Sequence, residues 1–250
     1  MRVLILGGSN EATRLAERLA EDSAFEPILS LAGRTRNPSP SPIPSRIGGF
    51  GGAAGLANFL RSEAFGAIVD ATHPFAERMS ANAAVAARET GAPLVVFSRP
   101  LWTPRPGDRW TELTDAESAA RAIGAAPRRV FLTVGRLQLR AFEVAPQHEY
   151  LIRTIDPPES PPNLPHHRLL LARGPFIFED EVRLMRAERI EVLVAKNSGG
   201  DSTSAKLDAA RFLELEVILV RRPAPPEAPT LYSLEEVMDF LRARLHSAVP

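Results

Sequence analysis

Short apolar runs that read as strands alternate with amphipathic stretches along the whole chain, and this alternation is the strongest constraint on its fold. Residues 2–6 form a buried-type strand, followed by Gly7-Gly8-Ser9-Asn10 and a helix with Ala12, Leu15, Ala16 and Leu19 on one face. Residues 28–31 are the next strand. The run 47–52 leads into a helix over 53–63, and 67–69 is a further strand. A helix is predicted to start at Pro74, with Phe75, Met79, Ala83 and Ala86 along its apolar stripe. Residues 94–97 complete this sheet. The second half repeats the logic, with strands predicted at 130–134, 150–154, 169–171, 192–195 and 217–220, and helices near 179–189 and 204–213. Such an order gives parallel strands joined by crossover helices rather than hairpins.

The class is therefore α/β, and the expected architecture is two Rossmann-like domains, each a mainly parallel sheet flanked by helices, with a ligand cleft between them. Residues 99–107 hold three prolines and Trp102, which reads as the passage between domains. The boundary is predicted near residue 112, giving domains 1–112 and 113–250. The prolines of run 37–44 exclude helix and central strand, so a surface loop is expected there. The final helix carries Leu234, Val237, Met238, Leu241 and Leu245 as one stripe that packs onto one of the two sheets.

Composition narrows the function classes. With 30 basic and 30 acidic residues and no cysteine, the chain is not expected to clamp nucleic acid or to form a disulfide scaffold. It has no apolar stretch near 18 residues, so neither a membrane span nor a signal peptide is expected, and the cytoplasm is the default location.

The first strand delivers Gly7, Gly8, Ser9 and Asn10 into a helix N-terminus, where free backbone donors and the positive dipole end favour a phosphate. This turn lacks the full G-x-G-x-x-G spacing, so alone it reads equally well as a plain tight turn. At the end of the second strand an NAD-binding fold would offer a carboxylate to the ribose, whereas this chain has Gly33-Arg34-Thr35-Arg36. Arginine there suits a 2′-phosphate, and the two turns together favour NADPH. A short-chain dehydrogenase mechanism is not supported. Its tyrosine needs a lysine four residues on, but Tyr150 and Tyr232 are followed there by Thr154 and Glu236. No serine stands in a G-x-S-x-G elbow, and the His166-His167 pair lies in a proline-rich loop without carboxylates at metal-ligand spacing.

Three further runs follow predicted strands. They are Asp70-Ala71-Thr72-His73-Pro74-Phe75, Ala172-Arg173-Gly174-Pro175-Phe176, and Lys196-Asn197-Ser198-Gly199-Gly200. Together with Gly48-Gly49-Phe50-Gly51-Gly52, Gly55-Leu56, Arg99-Pro100, Trp102, Thr133-Val134-Gly135-Arg136, Arg153-Thr154 and the run 205–210, they give a chain that closely resembles the precorrin-6A reductase family of cobalamin biosynthesis.

The resemblance implies reduction of a ring-contracted tetrapyrrole, precorrin-6A, to precorrin-6B with hydride from NADPH and no metal. The first domain would bind the cofactor through Gly7, Gly8, Ser9, Asn10, Gly33, Arg34, Thr35, Thr72 and His73. The second would be the substrate-binding domain, and the candidates to meet the polycarboxylate substrate are Arg99, which precedes the boundary, with Arg136, Arg153, Arg173, Lys196, Ser198, Gly199 and Gly200. Lys196 and His73 are the candidate catalytic residues. Lys196 is one of two lysines among 30 basic residues, and the glycines beside it would let a bulky ligand approach. Contact with neighbouring pathway enzymes would be transient at most. Two alternatives remain: a reductase of the cobalt-containing analogue of the anaerobic route, and a non-catalytic NADPH-binding regulator.

Overall fold

The computed structural model describes residues 1–33 and 40–247, and the chain divides into two compact units. The first comprises Met1–Pro100 and Pro223–Pro250, the second Leu101–Arg222.

The first unit is built on a six-stranded sheet with strands β1 (Arg2–Leu6), β2 (Glu26–Leu31), β3 (Ser45–Ile47), β4 (Ala67–Asp70), β5 (Leu94–Phe97) and β12 (Thr230–Leu231). Their order is β3-β2-β1-β4-β5-β12, and every pairing is parallel. Val3, Leu4, Ile5 and Leu6 are all buried because β1 is central and covered on both faces, as an unbroken apolar run predicts. Helices α1 (Asn10–Ala20) and α7 (Leu234–Ser247) cover one face, where Leu15 and Leu19 meet Val3, Ile5, Val237, Met238 and Leu241. Helices α2 (Ala53–Ser62) and α3 (Glu77–Thr90) cover the other, where Leu56, Leu60, Ala83 and Ala86 pack on Leu4, Leu6 and Ile68.

The second unit repeats this winding. Its strands are β6 (Arg109–Leu113), β7 (Arg129–Thr133), β8 (Glu149–Thr154), β9 (His167–Leu171), β10 (Val192–Lys196) and β11 (Glu216–Val220). The order is β9-β8-β7-β10-β11-β6, again parallel throughout. Helices α4 (Ala116–Ala122), α5 (Phe178–Ala187) and α6 (Ala205–Phe212) flank it, with a 3-10 helix at Arg136–Val144. Both sheets are therefore doubly wound, and each reverses its strand order once: between β1 and β4, and between β7 and β10. Ligands of such sheets bind beyond the carboxyl ends of the strands at that reversal.

Three expectations change. The predicted boundary near residue 112 falls inside β6, a strand of the second sheet, and the passage lies instead at Pro100. The last residues do not belong to the second unit either. Thr230 and Leu231 pair with Val96 and Phe97 of β5, and α7 buries its stripe on the first sheet. The physical reason is that β6, which opens the second unit, is too polar, and β12, which returns to the first sheet after the second unit is complete, too short, to show as apolar runs. Thirdly, α3 begins at Glu77 rather than Pro74, because residues 72–76 are consumed by a hydrogen-bonded turn described below. Of the proline-rich run, residues 37–39 lie outside the described residues. The remainder is irregular, and Ile43 anchors it in the core.

Candidate functional site

In the first unit the strand-order reversal brings together the ends of β1 and β4. Gly7 donates its N–H to the Ser30 carbonyl at 2.9 Å, and a Cβ on it would lie 2.5 Å from Leu29 Cδ1, so a larger residue there would have to displace the Leu29 side chain. Gly8 has φ +117, with open space where a side chain would stand. Ser9 caps α1: its Oγ accepts from Ala12 N at 3.2 Å and donates to the Ala71 carbonyl at 2.7 Å, tying the β1 turn to the β4 turn. Asn10 is the exposed first residue of α1. On the β4 side Asp70 is buried, and its Oδ1 accepts from both Thr72 N (3.1 Å) and Thr72 Oγ1 (2.7 Å). His73 Nδ1 accepts from Phe75 N at 3.2 Å, and the His73 carbonyl accepts from Ala76 N at 2.7 Å. These bonds replace the first helical turn that Pro74 suggested.

Of the remaining predicted cofactor residues, Gly33 stands just after β2 with φ +72. Arg34 and Thr35 lie outside the described residues, as does Arg36. Arg99, predicted to meet substrate, donates to Glu11 Oε2 at 2.5 Å, both side chains being largely buried, so its charge is engaged at the N-terminal turn of α1.

The glycine-rich run after β3 is organised by a residue the sequence reading missed. Arg46 stacks on Phe50 (4.1 Å) and Phe59 (5.2 Å) and donates to Ser30 Oγ (2.8 Å) and to the carbonyls of Gly48 (3.1 Å) and Gly49 (3.2 Å). Gly55 closes the same loop, because a Cβ there would lie 1.7 Å from the Phe50 carbonyl oxygen. Gly55→Ala is expected to destabilise the protein by about 2 kcal/mol or more, since backbone rather than a flexible side chain must move. Urea denaturation of the variant measures it, and a change under about 0.5 kcal/mol would contradict the packing described.

In the second unit the reversal joins the ends of β7 and β10. Gly135 (φ +81) ends the β7 side and opens the 3-10 helix that starts at Arg136. Lys196 ends β10, and its Nζ comes within 3.6 Å of where a Gly135 Cβ would be. Burial pushes the Lys196 ammonium down to about 8 from 10.5. Beyond it the loop turns through Gly199 (φ +70) and Gly200 (φ +76). Ser198 and Gly199 are buried rather than displayed, and the Ser198 carbonyl accepts from Arg222 at 2.6 Å, so they shape the loop.

Asn197, which the sequence reading did not single out, grips the passage residue Trp102. Its Oδ1 accepts from Trp102 N (3.0 Å), and its Nδ2 donates to the Trp102 carbonyl (3.1 Å) and to Glu112 Oε1 (3.1 Å). The Trp102 indole donates to the Gly200 carbonyl at 2.8 Å, and Lys206 lies over its ring at 4.7 Å.

Arg153 is corrected. It was expected to meet a substrate carboxylate, yet it is buried and forked onto Glu181 of α5 at 2.5 and 3.0 Å, between the rings of Phe131 (4.8 Å) and Phe176 (3.8 Å). The signal that could have found Glu181 is an acid in the first turn of a helix otherwise patterned to bury that face. Arg173 is exposed in the loop after β9, and Arg136 is partly exposed after β7. The same strand ends carry Leu137, Ile155 and Leu171, which are 68%, 52% and 53% exposed. His166 and His167 stand at the opposite, amino-terminal end of this sheet. There they line a cavity of about 290 Å³ with Arg129, Glu149, Arg168 and Glu188.

Two doubly wound parallel sheets, with glycine turns and polar side chains at both strand-order reversals, define a two-sheet Rossmann-type α/β protein. The particular family follows from comparison. The family model for Precorrin-6x reductase CbiJ/CobK matches residues 2–242, and the chain belongs to that family. Precorrin-6A reductase from Sinorhizobium sp is 52% identical over 95% of this chain and 91% of its own length. The Rhodobacter capsulatus precorrin-6A reductase is 51% identical over 100% and 98%. The solved structure of CobK precorrin-6A reductase matches with a TM-score of 0.93 at 50% identity, covering 98% of this chain and 97% of that one. Among the described residues no helix is long and apolar enough to cross a membrane.

Proposed function

We propose that this chain reduces precorrin-6A to precorrin-6B in cobalamin biosynthesis, using NADPH, in the cytoplasm. Family membership supports the reaction. The observation that carries the substrate assignment is the make-up of the carboxyl end of the second sheet. Exposed Leu137, Ile155 and Leu171 share strand ends with Arg136, Arg173 and Lys196, a combination suited to a large apolar ring bearing carboxylates. A regulator that bound only a nucleotide would need no such surface. Charge-assisted hydrogen bonds contribute about 1.5 to 3 kcal/mol each, so Arg136, Arg173 and Lys196 suffice to orient the ring.

The first sheet carries the cofactor in this reading. Its β1 turn fits a diphosphate: Gly8 is open on the side where a Cβ would stand, α1 points its N-terminus there, and Glu11 is neutralised by Arg99. Gly33, Arg34 and Thr35 would receive the 2′-phosphate, while Thr72 and His73 border the nicotinamide end. When bound, NADPH supplies the hydride. The chain's own residues bind and orient each reactant, and orientation of this kind is worth several orders of magnitude in rate. Lys196, with its ammonium lowered to about 8, grips a carboxylate and carries a mobile proton near neutral pH.

Anaerobic kinetics with metal-free precorrin-6A and either NADPH or NADH tests this. Oxidation of NADPH coupled to loss of the precorrin-6A absorbance is the expected result, with Arg34→Ala eroding the preference for NADPH by about tenfold. Equal efficiency with NADH and NADPH would sink the cofactor assignment, and turnover of the cobalt-containing analogue alone would move the chain to the anaerobic route.

A further inference from the structure

Arg153 and Glu181 form the most enclosed ion pair among the described residues, with 6% and 3% of their side chains exposed, and they lie at the end of the sheet where the proposed substrate surface sits. A buried pair of this kind is a poor source of stability compared with apolar packing, so its placement calls for another role. Its surroundings supply one. The guanidinium is held by the two Glu181 oxygens and lies over the rings of Phe131 of β7 and Phe176. Phe176 ends the turn 172–176 that carries Arg173. The other side of that turn is also fastened: Phe176 N donates to the Ser202 carbonyl at 3.4 Å, and a Cβ on Gly174 would lie 3.2 Å from the same oxygen. Ser202 belongs to the loop that follows Lys196. The turn after β9 and the loop after β10 are thus joined at one carbonyl and clamped by one arginine.

We infer that Arg153 is a positioning residue, which through its stack on Phe176 sets the turn 172–176 so that Arg173 meets a carboxylate of the substrate. The inference rests on the proposed substrate surface. Arg153 acts through Phe176 rather than by contact with the substrate, because its two terminal nitrogens donate to Glu181 and the pair is buried. Planarity is the chemical reason for arginine here: a flat guanidinium can fork onto a carboxylate and lie against a ring at once, which an ammonium cannot. A turn displaced by a fraction of an ångström moves the Arg173 guanidinium out of its two-point geometry, and orientation errors of that size are costly.

Steady-state kinetics of Phe176→Leu, Arg153→Lys, Arg173→Ala and the double variant Phe176→Leu/Arg173→Ala test it. Phe176→Leu leaves the ion pair in place and so keeps the experiment readable if Arg153→Lys folds poorly. The expected result is a rise in KM for precorrin-6A of about tenfold in Arg173→Ala and at least about threefold in Phe176→Leu, with kcat and the KM for NADPH little changed. Because both act through one contact, the double variant should match Arg173→Ala alone. If Arg173→Ala raises KM while Phe176→Leu shifts only the melting temperature, or the two effects multiply, the positioning role is overturned and the substrate surface stands. If Arg173→Ala leaves KM unchanged, the substrate surface itself is misplaced and the inference falls with it.

Discussion

Lys196→Met is expected to lower kcat/KM for precorrin-6A by about tenfold to a hundredfold while raising stability at pH 7 by about 1 to 3 kcal/mol. The two effects have one cause. Lys196 ends a strand whose preceding residues are fully buried, and desolvation lowers its ammonium from 10.5 to about 8. Between pH 8 and 10.5 the unfolded chain therefore binds more protons than the folded one, so stability rises with pH through that window. Below pH 8 the whole penalty for keeping a charged lysine there is present. The interval between 10.5 and about 8 sets a ceiling of about 3 kcal/mol, and the partial exposure of the side chain reduces it.

Methionine has similar length and no charge, so the gain in stability should be full at neutral pH and vanish above pH 10.5. Thermal unfolding across that range measures it. A variant less stable than the parent at pH 7 would contradict the burial argument. On the kinetic side, a loss confined to NADPH affinity would put Lys196 on the wrong ligand. A residue that destabilises the fold and serves the reaction is a familiar compromise at working sites.

The second large effect is structural. Glu181→Ala should destabilise the protein by about 3 to 5 kcal/mol, because it strands the Arg153 charge between two aromatic rings with no carboxylate to receive its donors. Glu181 also lies in the first turn of α5, where a negative charge suits the positive end of the helix dipole. Replacing both partners, as Arg153→Met with Glu181→Leu, should recover most of the loss, since apolar packing removes the uncompensated charge along with its partner. Denaturant unfolding of the single and double variants decides the matter. A single variant that lost less than about 1 kcal/mol would show that water reaches Arg153. The recovered double variant should still bind precorrin-6A poorly, which separates the stability of the pair from its positioning role.

The residues differ in how far the sequence alone reveals their roles. The alternation of strand and helix signals was sufficient for the class, because a central parallel strand such as Val3 to Leu6 must be apolar on both faces and therefore announces itself. The glycine turn after β1 and the Lys196 run were legible for a related reason. Positive φ at Gly8, Gly199 and Gly200 favours glycine at those positions, and the close approach of Gly7 to the Leu29 side chain favours a small residue there. The edge strands were not legible. Arg109–Leu113 is largely solvated, and Thr230–Leu231 is two residues long, so neither leaves a hydrophobic period. The start of α3 was misplaced because proline suits a first helical turn, while the competing turn depends on Asp70 and His73 side chains.

What the sequence determined by itself is local: which segments are strands or helices, where glycine is required, and which strand ends carry polar groups. Those properties depend on backbone sterics and on burial periodicity within a few residues. What only the tertiary structure decided is partnership. Arg99 and Arg153 look alike in sequence as exposed arginines awaiting a ligand, yet one is joined to Glu11, 88 positions away, and the other to Glu181, 28 positions away. Asn197 reads as a loop residue until Trp102, 95 positions earlier, is found in its grip. A charge has no sequence period that names its counterion. The winding of the sheet chooses it, by deciding which strand end comes to rest beside which helix.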